Sequence, residues 1–208
     1  RPPAAHAAER DRHTAHCIVD GNRSTTAVRT CDRQRACSSR RPSSQHRDLS
    51  KRETAYMETL RQIWNDSGTT LGGWLSVPSS VTAEAVARAG FDYVCIDAQH
   101  GAVEYSDCVS MIQAVLLGGR PIVRVPWNEP GIIGKMLDAG AQGVIIPMVN
   151  TVAEAEAAVR ACRYAPEGAR SSGPTLVGAR TDRPYFEWAK DNVACIPMIE
   201  TIEAVGNL

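Results

Sequence analysis

From Met57 onward, short apolar runs alternate with helical stretches, and this alternation limits the chain to a few architectures. The runs are Leu71–Val77, Asp92–Asp97, Pro121–Val125, Gly143–Pro147 and Val193–Ile199. Between and around them, helices are expected over Met57–Asp66, from Ser80 or Thr82 as cap to Ala89, and over Tyr105–Leu117. Further helices are expected over Pro130–Ala139, Val152–Cys162 and Asp182–Lys190, with another starting at Glu203. Gly90 and Gly140 stop two of these helices, and residues 163–180 read as a Gly/Ser/Pro-rich loop. A faint repeat relates Ala89–Ile96 to Ala139–Ile146, each a helix-ending Gly followed by an apolar strand. Strands this apolar are buried on both faces, as in parallel sheets. Repeating βα units leave an open doubly wound sheet or a (β/α)8 barrel. After the first strand stands Ser76-Val77-Pro78-Ser79-Ser80 and no glycine-rich phosphate loop, which favours the barrel. A complete barrel takes about 250 residues. Five strands fit within residues 57–208, so about three βα units of such a barrel are not accounted for.

The first 56 residues have a different composition. Their large aliphatic residues are Ile18, Val19, Val28 and Leu49, with no Phe or Trp. So little apolar surface cannot offset the entropy of ordering a backbone. The segment reads as disordered or as a non-native, upstream-translated extension; a transit peptide fits its Arg and Ser but not its six acidic residues. Charge divides at the same place. The chain holds 23 basic and 23 acidic side chains, yet residues 1–56 carry a net +6 and residues 57–208 a net −6. An arginine-rich nucleic-acid arm lacks support, because no aromatic residues interleave with the charges. No apolar run reaches the roughly 18 residues of a membrane span. The seven cysteines form no C-x-x-C pair, so neither a zinc site nor a disulfide framework is expected. Scattered thiols without a secretory signal suit a reducing cytoplasm, and Cys95 and Cys195 read as small core residues.

Barrel active sites lie at the carboxyl ends of strands. There the chain places Asp97, Gln99 and His100 after the second strand, Arg124 in the third and Glu200 after the fifth. His100, the only histidine after Met57, is either a hydrogen-bonded structural residue or a general base. Asp138 opposes the dipole in the last turn of its helix; it is either a tolerated surface charge or a carboxylate that orients a histidine. Arg124, among apolar neighbours, needs an anionic partner, in a structural ion pair or as a clamp on a carboxylate or enolate oxygen. Glu200 suits Mg²⁺ or Mn²⁺, which prefer oxygen ligands.

Seven short motifs, in order, resemble one family. They are Gly73-Trp74-Leu75-Ser76, Ala89-Gly90-Phe91-Asp92, Ile96-Asp97-Ala98-Gln99-His100-Gly101, Val123-Arg124-Val125-Pro126-Trp127-Asn128, Leu137-Asp138-Ala139-Gly140, Ile146-Pro147-Met148-Val149 and Ile199-Glu200-Thr201. The family is that of the HpcH/HpaI aldolases, metal-dependent (class II) pyruvate aldolases. The resemblance implies a (β/α)8 barrel, here about its first five βα units, that makes or breaks a C–C bond of 4-hydroxy-2-oxo acids through a pyruvate enolate. It implies His100 as the acid/base residue, Asp138 as the acid that raises its basicity, and Arg124 as the group that binds and stabilises the enolate. Glu200 would be one of two carboxylate ligands of a divalent metal, Mg²⁺, Mn²⁺ or Co²⁺. The implied partners are small 2-oxo acids and aldehydes, and the complete protein would be a homo-oligomer. Two departures stand out. No Gly-Pro-Ala-Asp-like segment supplies the second metal carboxylate, and Met198 occupies a position where some members bind substrate through Gln. Some members also carry Glu where this chain has Gln99. A citrate-lyase-like CoA-thioester lyase and an inactive fragment are the alternatives.

Overall fold

The computed structural model describes residues 59–67, 69–178 and 180–208; the extension expected over 1–56 lies outside them. Helix α1 (Leu60–Ser67) precedes strand β1 (Gly72–Leu75). Then follow α2 (Ser80–Arg88), β2 (Tyr93–Asp97), α3 (Tyr105–Val115), β3 (Pro121–Arg124), α4 (Pro130–Ala139), β4 (Gly143–Ile146) and α5 (Val152–Cys162). The chain ends with α6 (Tyr185–Asn192), β5 (Ala194–Pro197) and α7 (Ile202–Gly206).

The five strands are parallel, and their spatial order is their order in the chain. A doubly wound sheet reverses direction at a switch point. Here every crossover moves one strand the same way, and right-handed crossovers then put the helices on one face. This is the winding of a (β/α)8 barrel, carried through five units.

Register sorts the side chains. Leu75, Ile96, Val123, Val144 and Cys195 stand in one row and face the helices. There they meet Ala87, Met111, Ile112, Ile133 and Leu137 in the main core. The inner face carries two rows. Trp74, Cys95, Ile122, Gly143 and Ala194 form the first, and Asp97, Arg124, Ile145 and Ile196 the second, nearer the strand ends. α1 covers part of this face with Leu60 and Trp64, beside Tyr93. Complete burial of Leu60 contributes roughly 2 kcal/mol.

Local chemistry explains the helix ends. Ser79 caps α2, one residue before the expected Ser80, because its side chain accepts the Thr82 N–H. Pro130 opens α4, the Glu129 carboxylate accepts the N–H groups of Gly131 and Ile132, and Gly140 ends the helix at φ 117°. Thr151 and Glu154 form a capping box on α5. α6 starts at Tyr185 rather than Asp182, because Pro184 sits at its N-cap. α3 ends at Val115, two residues short, where Gly118 and Leu117 donate back into a tight final turn. Cys95, Cys108, Cys162 and Cys195 are free thiols, the first three buried. No helix among the described residues is long and apolar enough to cross a membrane.

Candidate active site

Asp97 ends β2 and stands directly beside Arg124, the last residue of β3. Register alone therefore brings the two charges together. Arg124 Nε donates to Asp97 Oδ1 at 2.9 Å and Nη2 to Oδ2 at 2.6 Å. The side chains are only 13% and 3% exposed, so this fork is nearly dry. Burial pushes the Asp97 carboxyl up, but the Arg124 hydrogen bonds and the backbone N–H groups of His100 and Gln99 outweigh it and hold the pKa at about 2. Arg124 is in turn pushed up, first by its hydrogen bonds to Asp97, with the Glu200 charge among the smaller causes. Trp74 completes the cluster. Arg124 Cζ lies 5.0 Å from the centre of its ring, and the indole Nε1 donates to Asp97 Oδ2 at 3.4 Å.

The turn after β2 is tied to the same carboxylate. Gln99 N and His100 N donate to Asp97 Oδ1 at 3.1 and 3.2 Å. Ala102 N donates to Ser76 O at 2.9 Å, drawing the turn against the end of β1. Gly101 fits this crossing because a Cβ there would lie 2.2 Å from the Asp97 carbonyl oxygen. His100 itself is exposed, and its ring makes no hydrogen bond or ion pair among the described residues.

Glu200 follows β5 and is exposed. Its Oε1 accepts the Met148 N–H at 2.7 Å. Met148 adopts φ 56°, a left-handed conformation uncommon for a residue with a side chain. Met198, placed by sequence at the substrate site, is 6% exposed and packs on the inner face with Ile145 and Ile196. Among the described residues, no three His, Cys, Asp or Glu side chains gather closely enough to hold a metal ion. Among the described strand-end carboxylates, Asp97 is already occupied by Arg124 and two backbone N–H groups, and Glu200 accepts the Met148 N–H through one oxygen. The described residues therefore do not make a complete metal site.

Asp138 stands apart from His100. Its Oδ1 accepts from Arg170 Nη2 at 2.6 Å, and the hydrogen bond to a histidine expected from its position is not formed. The reason is electrostatic. A carboxylate in the last turn of α4 faces the negative end of the helix, and the buried Arg170 guanidinium neutralises it. Arg170 also donates to Tyr185 Oη at 3.2 Å and lies over the rings of Tyr164 and Tyr185, at 4.6 and 5.4 Å.

The fold thus brings Asp97, Arg124, the His100 turn and Glu200 to one end of the sheet, and leaves Asp138 in a separate cluster. Trp74, Met148 and Arg170 were not singled out from the sequence. Trp74 had a signal, an aromatic residue on the inner-facing parity of β1. Arg170 had none, since it lies in a stretch without periodicity.

Residues 71–208 match the model of the family described as HpcH/HpaI aldolase/citrate lyase. A hydroxypyruvate/pyruvate aldolase from Rhizorhabdus wittichii is 43% identical over 153 residues, covering 73% of this chain and 61% of that protein. A 4-hydroxy-2-oxo-heptane-1,7-dioate aldolase from Escherichia coli is 40% identical over 142 residues, covering 66% of this chain and 54% of its own length. The crystal structure of an HpcH/HpaI aldolase/citrate lyase family protein from Burkholderia cenocepacia J2315 superimposes with a TM-score of 0.65 at 34% identity, covering 71% of this chain and 62% of that one. The chain thus spans 54–61% of the length of these two curated relatives. On the family match and the barrel winding together, the chain belongs to the HpcH/HpaI aldolase/citrate lyase family.

Proposed function

We propose that the protein is an aldehyde-lyase that cleaves or forms 4-hydroxy-2-oxo acids through a pyruvate enolate, with residues 57–208 as the N-terminal part of its barrel. The observation that carries this reading is the Arg124 guanidinium, held by Asp97 at the strand-end side of the inner face. In the cleavage direction, His100 takes the proton of the 4-hydroxyl as the C3–C4 bond breaks and the aldehyde leaves. The bond electrons move to the C2 oxygen, where Arg124 stabilises the negative charge. Return of a proton to C3 gives pyruvate. His100 suits this role because its ring is exposed and uncommitted while Asp97 anchors its backbone. Met198 lines the floor of the site with an apolar side chain where an amide would bond the substrate.

A divalent cation, Mg²⁺ or Mn²⁺, belongs to this reading through Glu200, whose single carboxylate would bind it weakly. Free thiols at Cys95, Cys108, Cys162 and Cys195 suit a cytoplasmic protein, and a homo-oligomeric assembly is part of the same proposal. The test is pyruvate release from 4-hydroxy-2-oxo acids, with and without EDTA. Activity that survives both EDTA and His100→Ala overturns the mechanism. Cleavage of a CoA thioester without cleavage of free 2-oxo acids would favour the citrate-lyase-like reading instead.

A further inference from the structure

Trp74 lies on the inner face of β1, across from Cys95, with 42% of its surface exposed. The rest of its row is Cys95, Ile122, Gly143 and Ala194, all smaller and buried. An indole so exposed contributes little to the core, and two of its contacts are with charged side chains. The ring stands against the guanidinium of Arg124, and its N–H reaches Asp97 Oδ2. Asp97 meanwhile takes Arg124 Nε and Nη2. One edge of the guanidinium is thus filled by a carboxylate and one face is covered by a ring. Nη1 is the guanidinium nitrogen that no hydrogen bond engages among the described residues.

We propose that Trp74 is a positioning residue for Arg124: with Asp97 it locks the guanidinium so that Nη1 alone is presented to an anionic substrate oxygen on the inner face. The inference rests on the reading of Arg124 given above. The ring replaces water on one side of the cation without offering it a competing acceptor. The indole N–H shares the charge of Asp97, so less of the Arg124 charge is cancelled by its neighbour. A planar guanidinium is needed for such stacking, and an ammonium is not equivalent there.

The test uses oxalate, a planar dianion that mimics the pyruvate enolate, titrated calorimetrically into the protein with excess MgCl₂. Trp74→Leu keeps bulk but removes the π face and the N–H; Trp74→Phe keeps a π face. Oxalate affinity should fall about tenfold in Trp74→Leu and about threefold or less in Trp74→Phe. Both variants should keep the thermal transition of the parent, since the residue is exposed. In an Arg124→Lys background the Leu and Phe variants should differ by less than about twofold, because the stacking partner is gone. Equal affinities of Trp74→Leu and Trp74→Phe, or the same loss in both backgrounds, overturn the inference. A parent protein that binds oxalate but cleaves no 4-hydroxy-2-oxo acid overturns the proposed reaction, while the variant comparison still decides the role of Trp74. A parent that binds no oxalate overturns both.

Discussion

Arg170 Nη2 lies 2.6 Å from Asp138 Oδ1, and the same nitrogen reaches Tyr185 Oη at 3.2 Å. The two partners are unequally buried. The Arg170 side chain is 1% exposed and the Asp138 side chain 23%. Water can reach the acid but not the base, so the two cannot be removed at equal cost.

Asp138→Ala would leave a buried guanidinium without its counter-ion, at a cost of about 3–5 kcal/mol. Arg170→Met would leave a carboxylate that water can solvate, and should cost about half as much despite lost packing on Tyr164 and Tyr185. Urea unfolding of the two variants checks the order. If Arg170→Met is the more damaging, the asymmetry argument fails.

Acid should weaken the fold through Asp97. The folded state holds this carboxyl at about 2, below the ordinary value near 4. An acid depressed on folding stabilises the native state above its unfolded pKa, and that stability is lost as pH falls through the folded pKa. The contribution is on the order of 2 kcal/mol, complete above about pH 4 and gone near pH 2. Denaturant titrations from pH 6 to pH 2 should show the advantage over Asp97→Asn shrinking across that window. A constant difference would show that ionisation of Asp97 plays no part.

The sequence carried the helix layer more faithfully than the contacts between elements. α4 and α5 run over Pro130–Ala139 and Val152–Cys162, the expected spans, because Pro130, Gly140 and the first-turn Glu154 act locally. Strands were expected longer than β1 and β5 turn out to be, since propensity does not say where a neighbouring strand stops pairing. Arg124 could be flagged as a cation in need of an anion, but its pairing with Asp97 depends on the β2–β3 register. The Asp138–Arg170 pair joins residues 32 apart, one of them in an aperiodic loop, and nothing local announces it.

Two glycines should respond oppositely to alanine. At Gly101 a Cβ would lie 2.2 Å from the Asp97 carbonyl oxygen and 3.1 Å from Ser76, backbone atoms that cannot step aside. Gly101→Ala should cost about 3 kcal/mol and displace the turn that carries His100. At Gly134, within α4, a Cβ meets nothing within 4 Å. Gly134→Ala should stabilise by about 0.5–1 kcal/mol through helix propensity. Melting temperatures that move in the same direction would contradict this geometry.

His100 offers the cleanest separation of activity from stability. Its backbone N–H is tied to Asp97, but its ring is exposed and bonded to nothing among the described residues. Removing that exposed ring takes away no hydrogen bond and no ion pair among the described residues, so His100→Ala should change stability by less than about 0.5 kcal/mol. If the ring moves the proton of the 4-hydroxyl, the same substitution should lower turnover about 10²–10⁴-fold. The Asp97–Arg124 fork stays intact in this variant, so oxalate affinity should stay within about threefold of the parent. Loss of turnover with binding and melting preserved is the signature of a proton-transfer residue, because a structural histidine would move all three. Turnover that survives the substitution would remove His100 from the mechanism and pass the proton to another group near the strand ends.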